Sequence, residues 1–161
     1  GRHAGVGRQI LLTQLRELKR EAKPIQVGPG VTVARAVELM RKKLVSAVMV
    51  VDRKKKLVGI FTERDFLEKA LTVRGFARMP VKKVMRKDPE TLRPKDSVAY
   101  ALNKMAVGRY RHVPLVDDAG VPQGMVSARD VIDFICELCP EEILNLPPEP
   151  QMAIPKTVDG E

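Results

Sequence analysis

The chain has 161 residues, of which 44% are hydrophobic, with 4 Phe, 2 Tyr and no Trp, so its composition predicts a globular protein with an aliphatic core. Its formal net charge of +9 favours contact with polyanions such as nucleic acid, although a basic excess more often forms a solvated surface. No apolar run approaches the roughly 20 residues of a membrane-spanning helix, and two cysteines are too few for a disulfide framework, which indicates the reducing cytoplasm.

Residues 1–23 form a first segment that contains a predicted amphipathic helix. From Gln9 to Ala22, apolar residues fall near helical spacing between charged ones: Ile10, Leu11, Leu12, Leu15 and Leu18. The helix is expected to end before Pro24, and its apolar stripe requires a covering surface on the body of the protein or on a partner. Because the first residue is Gly rather than Met, the sequence is compatible with a fragment or a processed form.

A seven-residue stretch occurs twice and organises the rest of the chain. Residues 59–65 and 124–130 each read as Gly, two apolar residues, Thr or Ser, two spacers ending in Arg, and Asp, at a spacing of 65 residues. The same shift aligns further identical residues of the two halves, without a gap, from Pro24 to about Leu71. Two copies predict a pair of units related by a pseudo-twofold axis.

The first unit is predicted to span residues 24–80. Proline and glycine open it with an extended segment, and Thr32 is a candidate N-cap for the helix that follows. The apolar run Ala-Val-Met-Val-Val is typical of a strand that is buried on both faces. The expected elements are an extended lead-in, a helix, two strands of a hairpin and a second helix, at residues 24–33, 33–43, 46–51, 57–61 and 62–71.

The second unit is predicted to span residues 81–139 and to repeat the first. After a helical turn at residues 81–85 and an extended segment at 89–94, the pattern predicts a helix, two strands and a helix, at residues 97–107, 113–116, 124–127 and 128–138. The Pro-rich segment 140–161 is predicted to be an irregular, flexible tail, with one helical turn at 140–144.

The repeated hydroxyl and acidic residues allow two interpretations. Their spacing is that of a capping box at a strand-to-helix junction, in which both side chains bond backbone N–H groups. The same arrangement suits a ribonucleotide, because a helix N-terminus attracts phosphate and an aspartate can accept two hydrogen bonds from a ribose diol. An arginine beside each aspartate would add charge for a phosphate. The residues are Thr62, Arg64 and Asp65 in the first copy and Ser127, Arg129 and Asp130 in the second.

With an apolar strand that closes on Val-Asp before each copy, the repeat resembles the cystathionine β-synthase (CBS) domain, and two in tandem resemble the Bateman module. The resemblance covers roughly residues 24–138. It implies an α+β fold in which two β-α-β-β-α units pack through their sheets about a pseudo-twofold axis, with clefts that bind adenine nucleotides. It also implies a regulatory sensor rather than an enzyme, frequently a disc-shaped homodimer.

The resemblance assigns a part of the ligand to each group of residues. Asp65 and Asp130 would hold the ribose, with Thr62 and Ser127 assisting there or at the phosphate. Adenine would lie in an apolar slot beside the lead-in segment and the central strand. That slot would be formed by Thr32, Val33, Ala47, Val48 and Met49 in the first unit, and by Ser97, Val98, His112, Val113 and Pro114 in the second.

The two units differ just before their central strands. The second has Arg109, Arg111 and His112 there, which resemble the family's phosphate ligands, whereas the first has the uncharged run Leu44 to Ala47. We therefore expect one dominant nucleotide site, although a hydrogen-bonded strand-edge histidine explains His112 equally well.

The sequence contains no catalytic constellation and no phosphate-cradling glycine-rich loop. Cys136 and Cys139 have no second ligand pair, so buried thiols are favoured over zinc or redox chemistry. A sensor of AMP, ADP or ATP leads the functional hypotheses. The alternatives are a basic nucleic-acid-associated protein, an interaction subunit with vestigial clefts, and S-adenosylmethionine or a dinucleotide as the ligand.

Overall fold

The computed structural model describes residues 2–19 and 24–139, which form an α+β fold. In chain order the elements are α1 (Arg2–Leu12), β1 (Ile25–Val27), α2 (Val33–Lys43), β2 (Ala47–Val51), β3 (Leu57–Thr62), α3 (Glu63–Lys69), β4 (Arg86–Lys87), α4 (Val98–Gly108), β5 (His112–Val116), β6 (Pro122–Ser127) and α5 (Ala128–Leu138). Short 3-10 turns lie at Leu15–Glu17, Phe76–Arg78 and Val81–Lys83. The predicted tail, residues 140–161, and the predicted end of the first helix, residues 20–22, lie outside the described residues.

The first repeat has the predicted β-α-β-β-α order. Its sheet runs β1-β2-β3-β4, in which β1 is parallel to β2 and the other pairs are antiparallel. Thr32 caps α2 as predicted, because its side chain accepts a hydrogen bond from the backbone N–H of Arg35. Apolar residues of α2 and of one sheet face form the core, with Val33, Ala36, Val48, Val50 and Phe61 at its centre.

The second repeat has the same order of helices and a smaller sheet. Strands β5 and β6 form an antiparallel pair in the register of the first hairpin, so that His112 lies opposite Ser127 as Ala47 lies opposite Thr62. Its lead-in is less regular than expected, because a single parallel bridge joins Leu92 to Leu115 where the first repeat has a strand.

The two repeats contact each other on the sheet faces that their own helices leave uncovered. All five residues of β2 are buried, and Met49 and Ile60, which lie outside the first core cluster, have 0% of their surface exposed. The backbone N–H of Leu57 donates to the carbonyl of Gly120 at 3.0 Å, and Ser46 bonds His112 at 2.7 Å, each joining one repeat to the other. The interpretation of β2 as a strand buried on both faces is confirmed.

The predicted helix from Gln9 to Ala22 is wrong for residues 13–19. Helix α1 ends at Leu12, and Gln14 is extended, with φ −83° and ψ 148°. The helix ends because the chain here forms an antiparallel bridge between Gln14 and Ser97, in which Leu15 donates to the carbonyl of Asp96 at 2.8 Å. This long-range pairing overrides the helical spacing of the leucines.

The N-terminal segment occupies the same place against the second repeat that the linker occupies against the first. Val33 donates to Met79 and Val81 donates to Val31, while Val98 donates to Thr13 and Leu15 donates to Asp96. The N-terminal segment is therefore the counterpart of the linker, and each of these segments precedes one repeat and packs on the other.

Strand β4 was not expected from the sequence. Arg86 and Lys87 follow the predicted helical turn and add to the edge of the first sheet, where Lys87 lies opposite Gly59 and Arg86 opposite Ile60. A side chain on residue 59 would collide with this arrangement, because a Cβ there would lie 2.3 Å from the sulfur of Met85. The linker after the first repeat thus completes the first sheet.

Candidate functional site

A cleft of about 1100 Å³ lies where the two hairpins begin and end. The antiparallel register places the start of β2 beside the end of β3, and the start of β5 beside the end of β6. Helices α3 and α5 start at this same end. Both copies of the repeated stretch therefore contribute to one continuous cleft, and Thr62, Asp65, Ser127 and Asp130 are among the residues that line it.

Both copies form the helix capping box that the spacing predicts. Thr62 accepts from the N–H of Asp65, and one carboxylate oxygen of Asp65, Oδ2, accepts from the N–H of Thr62 at 2.9 Å. Ser127 and Asp130 repeat this geometry, with Oδ2 of Asp130 2.8 Å from the N–H of Ser127. Among the described residues, no donor bonds Oδ1 of either aspartate, so each retains one carboxylate oxygen for a further partner.

The two aspartates differ in burial. Asp130 is the only charged side chain among the described residues that is buried, with 8% of its surface exposed, whereas Asp65 is partly exposed. A buried carboxylate interacts more strongly with a hydrogen-bond donor than an exposed one does, because water competes less for it. The second repeat therefore offers the stronger acceptor.

His112 and Ser46 join the two repeats in the middle of the cleft. Oγ of Ser46 lies 2.7 Å from Nε2 of His112. Burial lowers the pKa of His112 below its ordinary value of 6.5, the charges of Arg111 and Arg86 lower it further, and Asp130 opposes the shift. His112 is therefore neutral at pH 7, so the arginines supply the positive charge of the cleft.

Five arginines line the cleft in different environments. Arg64 is exposed and donates to Glu68 at 3.0 Å across one turn of α3. Arg129 and Arg111 are exposed, as is Arg109, which ends α4 in the left-handed conformation. Arg86 is partly buried, and its guanidinium carbon lies 4.7 Å from the centre of the Tyr110 ring.

Of the predicted site residues, the structure brings ten together in the cleft. They are Ala47, Thr62, Arg64, Asp65, Arg109, Arg111, His112, Ser127, Arg129 and Asp130. These residues come from the starts of α3 and α5, from the ends of the two hairpins and from the segment before β5.

The remaining predicted site residues do not line this cleft. Val33, Val48, Met49, Val98 and Val113 are fully buried in the apolar interior, and Pro114 is buried with them. The Thr32 side chain caps the start of α2, and Ser97 occupies the N-cap position of α4 without a side-chain capping hydrogen bond. Contact between these side chains and a ligand stays a prediction.

Sequence reasoning missed Arg86, Tyr110 and Ser46 as members of the site. Ser46 and Tyr110 adjoin predicted residues, so the signal for them was their position just before a central strand. Arg86 lies in the linker, and its place in the cleft depends on the pairing of β4 with β3, which no local pattern indicates.

The described residues contain no group of three or more His, Cys, Asp or Glu side chains arranged to hold a metal ion. None of the helices in the described part of the chain combines the length and apolar composition needed to cross a membrane.

The family model for the CBS domain matches residues 15–72 and 81–137. An uncharacterized 17.7 kDa protein of Acidianus ambivalens is 36% identical over 105 residues, which cover 65% of this chain and 63% of that protein. Inosine-5'-monophosphate dehydrogenase of Nitrosopumilus maritimus is 32% identical over 108 residues, which cover 67% of this chain and 21% of the enzyme. The chain therefore spans less than two thirds of the length of these relatives.

Solved structures share the fold. A CBS-domain-containing protein from Agrobacterium tumefaciens superposes with a TM-score of 0.69 at 27% identity, over 78% of this chain and 95% of that one. A CBS domain protein from Pyrobaculum aerophilum, complexed with AMP, gives 0.68 at 23% identity, over 78% and 99%. The CBS domain pair of protein MJ0100, in complex with 5'-methylthioadenosine and S-adenosyl-L-methionine, gives 0.68 at 23% identity, over 76% and 98%. The predicted fold of two packed β-α-β-β-α repeats is confirmed.

Proposed function

Because the chain belongs to the CBS domain family, we propose that it is a regulatory module that senses an adenine nucleotide (AMP, ADP or ATP) in the cleft between its two repeats. The role is that of a sensor for a partner protein or domain rather than of a catalyst. The ligand acts by binding, and no catalytic cofactor is part of the proposal.

The observation that carries the proposal is the pair of capping aspartates in one cleft. Each uses Oδ2 to hold the start of its own helix, which fixes the orientation of the carboxylate and leaves Oδ1 for a ligand hydroxyl. A fixed acceptor beside several arginines has the polarity that a ribose and its phosphate require. The two interpretations of the repeated stretch are therefore compatible, because one carboxylate can cap a helix and bind a ribose.

Similar proteins support the choice of ligand. The structures from Pyrobaculum aerophilum and of protein MJ0100 both hold adenosine compounds. In the dehydrogenase of Nitrosopumilus maritimus, the similarity is confined to 21% of the enzyme, as expected for a separate regulatory part. Asp130 is more buried than Asp65, so we propose the second repeat's side of the cleft as the dominant site.

We predict that saturating AMP raises the melting temperature of the protein and that Asp130→Asn removes most of this increase. A ligand at about a hundred times its Kd stabilises the folded state by roughly 2.7 kcal/mol. Asparagine keeps one oxygen for the helix cap, and loss of the charge at a helix start costs only about 0.3–1 kcal/mol. The variant without ligand should therefore melt nearly as the wild type does, in a thermal-shift experiment.

Asp133→Asn is the matched control, because Asp133 is an exposed residue of α5 that lines the same cleft. It should retain the AMP shift, and Asp65→Asn should reduce it less than Asp130→Asn does. If no adenine nucleotide stabilises the wild type, or if Asp130→Asn leaves the shift intact, the two aspartates serve as helix caps alone.

We extend the proposal to a homodimer in the cytoplasm. Leu67 and Leu71 have 70% and 97% of their surfaces exposed, and Ile132, at the position equivalent to Leu67, has 59% exposed. Exposed apolar side chains on α3, immediately after it and on α5 support association with a second copy. Met40 of α2 is buried in the core of the first repeat and is not part of this surface.

A further inference from the structure

Arg86 is a partly buried cation without a counter-ion among the described residues. Its Nε is inaccessible to solvent and has no hydrogen-bond partner, and no carboxylate within residues 2–19 and 24–139 forms an ion pair with its guanidinium. Charged groups that lose contact with water are normally paired, because an unpaired buried charge is strongly unfavourable. A partly buried guanidinium without a carboxylate partner is suited to bind an anion that enters the cleft.

Packing fixes the position of Arg86. Its backbone lies in β4, opposite Ile60 of β3, and the adjacent Met85 fills the space left by the missing side chain of Gly59. On the other side, the guanidinium lies over the ring of Tyr110 at 4.7 Å. A site whose cation is already oriented loses less conformational entropy when the ligand binds.

The Tyr110 ring is held in turn by the end of α4. A Cβ on Gly108 would lie 2.4 Å from this ring, so the ring occupies space that only glycine leaves open. Gly108 and Tyr110 belong to the second repeat, whereas β4 extends the sheet of the first. The guanidinium of Arg86 therefore lies at the junction of the two repeats, near His112.

The other arginines of the cleft are less suited to this role. Arg64 already donates to Glu68, and more than two thirds of its side chain is exposed. Arg109, Arg111 and Arg129 are exposed, so water screens their charge and their long side chains must be ordered by the ligand. Burial, orientation and the lack of a partner together distinguish Arg86.

We infer that Arg86 binds the phosphate of the ligand at the centre of the cleft and makes the site selective for nucleotides over nucleosides. The inference rests on the proposed function for the identity of the ligand, since the phosphate belongs to the nucleotide. It assigns the principal phosphate contact to the linker strand β4 rather than to the Arg109–His112 segment.

The test compares the affinities of AMP and adenosine in Arg86→Met and in the wild type by isothermal titration calorimetry. A charge-assisted hydrogen bond contributes enough free energy that its loss should weaken AMP about 10- to 100-fold. Adenosine, which has no phosphate, should keep its affinity within about twofold. Lys87→Met, which removes an exposed cation of the same strand that does not line the cleft, should leave both affinities within about twofold.

Arg86→Gln keeps a polar side chain with an NH2 donor, shorter than arginine and without its charge, and it replaces Arg86→Met if that variant does not fold. Equal losses for AMP and adenosine, or no loss for either, would overturn the inference. Tyr110→Leu should weaken AMP more than adenosine, whereas Tyr110→Phe keeps the aromatic ring and should restore the wild-type ratio of the two affinities.

A measurement with inorganic phosphate distinguishes failure of the inference from failure of the proposed function. If the wild type binds neither AMP nor adenosine, the proposed function fails, and inorganic phosphate then tests Arg86 alone. Phosphate should raise the melting temperature of the wild type more than that of Arg86→Met, at equal ionic strength. Identical phosphate responses in the two proteins would show that Arg86 is not an anion site.

Discussion

His112 joins the two repeats through its hydrogen bond with Ser46, and its surroundings disfavour a second proton. Burial lowers its pKa, and the nearby guanidinium groups of Arg111 and Arg86 act in the same direction. In the folded protein, protonation of His112 would add a third positive charge beside these two arginines. The contact between the repeats is therefore most stable when His112 is neutral.

We predict that the protein loses stability as the pH falls below about 6.5 and that His112→Gln removes part of this loss. Between the folded pKa and 6.5, the unfolded chain binds a proton at His112 that the folded chain does not. The free energy of unfolding therefore rises with pH through this window and reaches its plateau above 6.5, with a slope from this group of at most about 1.4 kcal/mol per pH unit.

Urea unfolding at about pH 5.5 and about pH 7.5 measures the effect. The difference between the two free energies should be smaller in His112→Gln than in the wild type. An equal difference in both proteins would mean that His112 titrates in the folded state as it does in the unfolded state.

At the scale of single residues, the sequence predicts side chains whose role depends on local spacing. Thr62 with Asp65 and Ser127 with Asp130 form the two capping boxes that their three-residue separation implies. Arg86 was not predicted as a site residue, because its burial and its position over the Tyr110 ring depend on groups from other parts of the chain. Spacing encodes a contact within one turn of helix, but a contact across two repeats requires the tertiary fold.

At the scale of elements, helix α2 ends in a strained conformation. Leu44, its C-cap, has φ 57° and ψ 43°, in the left-handed region where glycine is favoured, and 90% of its surface is exposed. Arg109 ends α4 in the same way, with φ 59° and ψ 30°. Both helices thus stop in a left-handed turn that carries the chain into the central strand and the cleft.

We predict that Leu44→Gly stabilises the protein by about 0.5–1 kcal/mol. A left-handed conformation costs a residue with a Cβ about 1–2 kcal/mol, and the greater freedom of glycine in the unfolded chain offsets part of the gain. The melting temperature should rise by about 1–4 °C, as differential scanning calorimetry would detect.

Leu67→Gly is the control, because Leu67 is also exposed but lies within α3. That substitution should lower the stability by about 1 kcal/mol, the cost of glycine in a helix interior. A loss of stability in Leu44→Gly as well would mean that the Leu44 side chain makes a contribution larger than its strain.

Element prediction succeeded where an apolar pattern was reinforced by a cap, and failed where pairing came from a distance. Helix α5 has the predicted bounds, and β2 differs from its prediction by one residue. The helix expected at residues 9–22 ends early because Gln14 pairs with Ser97. Strand β4 consists of two polar residues, so only the open edge of β3 defines it as a strand.

At the scale of the whole molecule, the two repeats are linked by more than the surface between their sheets. Leu15 and Leu18 belong to the core of the second repeat, with 0% and 6% of their surfaces exposed, although they precede the first repeat in sequence. The linker residues Val81 and Val84 belong to the core of the first repeat in the same way. Each core therefore contains residues from both sides of the predicted domain boundary between residues 80 and 81. We propose that the two repeats fold as one cooperative unit.

We predict that Leu15→Ala destabilises the protein by about 2–5 kcal/mol, the range for a buried leucine whose removal leaves a cavity. Leu12→Ala is the matched control, because Leu12 lies three residues earlier with 63% of its surface exposed, and it should change the stability by less than about 0.5 kcal/mol. Denaturant unfolding gives both values. Amide hydrogen exchange locates the effect, since α4 and β5 contribute to the same core cluster as Leu15 and should lose protection at least as much as β2 and β3 do. If Leu15→Ala costs no more than Leu12→Ala, the N-terminal segment is not part of the second core. If the protection of β2 and β3 stays unchanged while α4 and β5 open, the repeats are separate cooperative units, because a single unit would transmit the loss to both sheets.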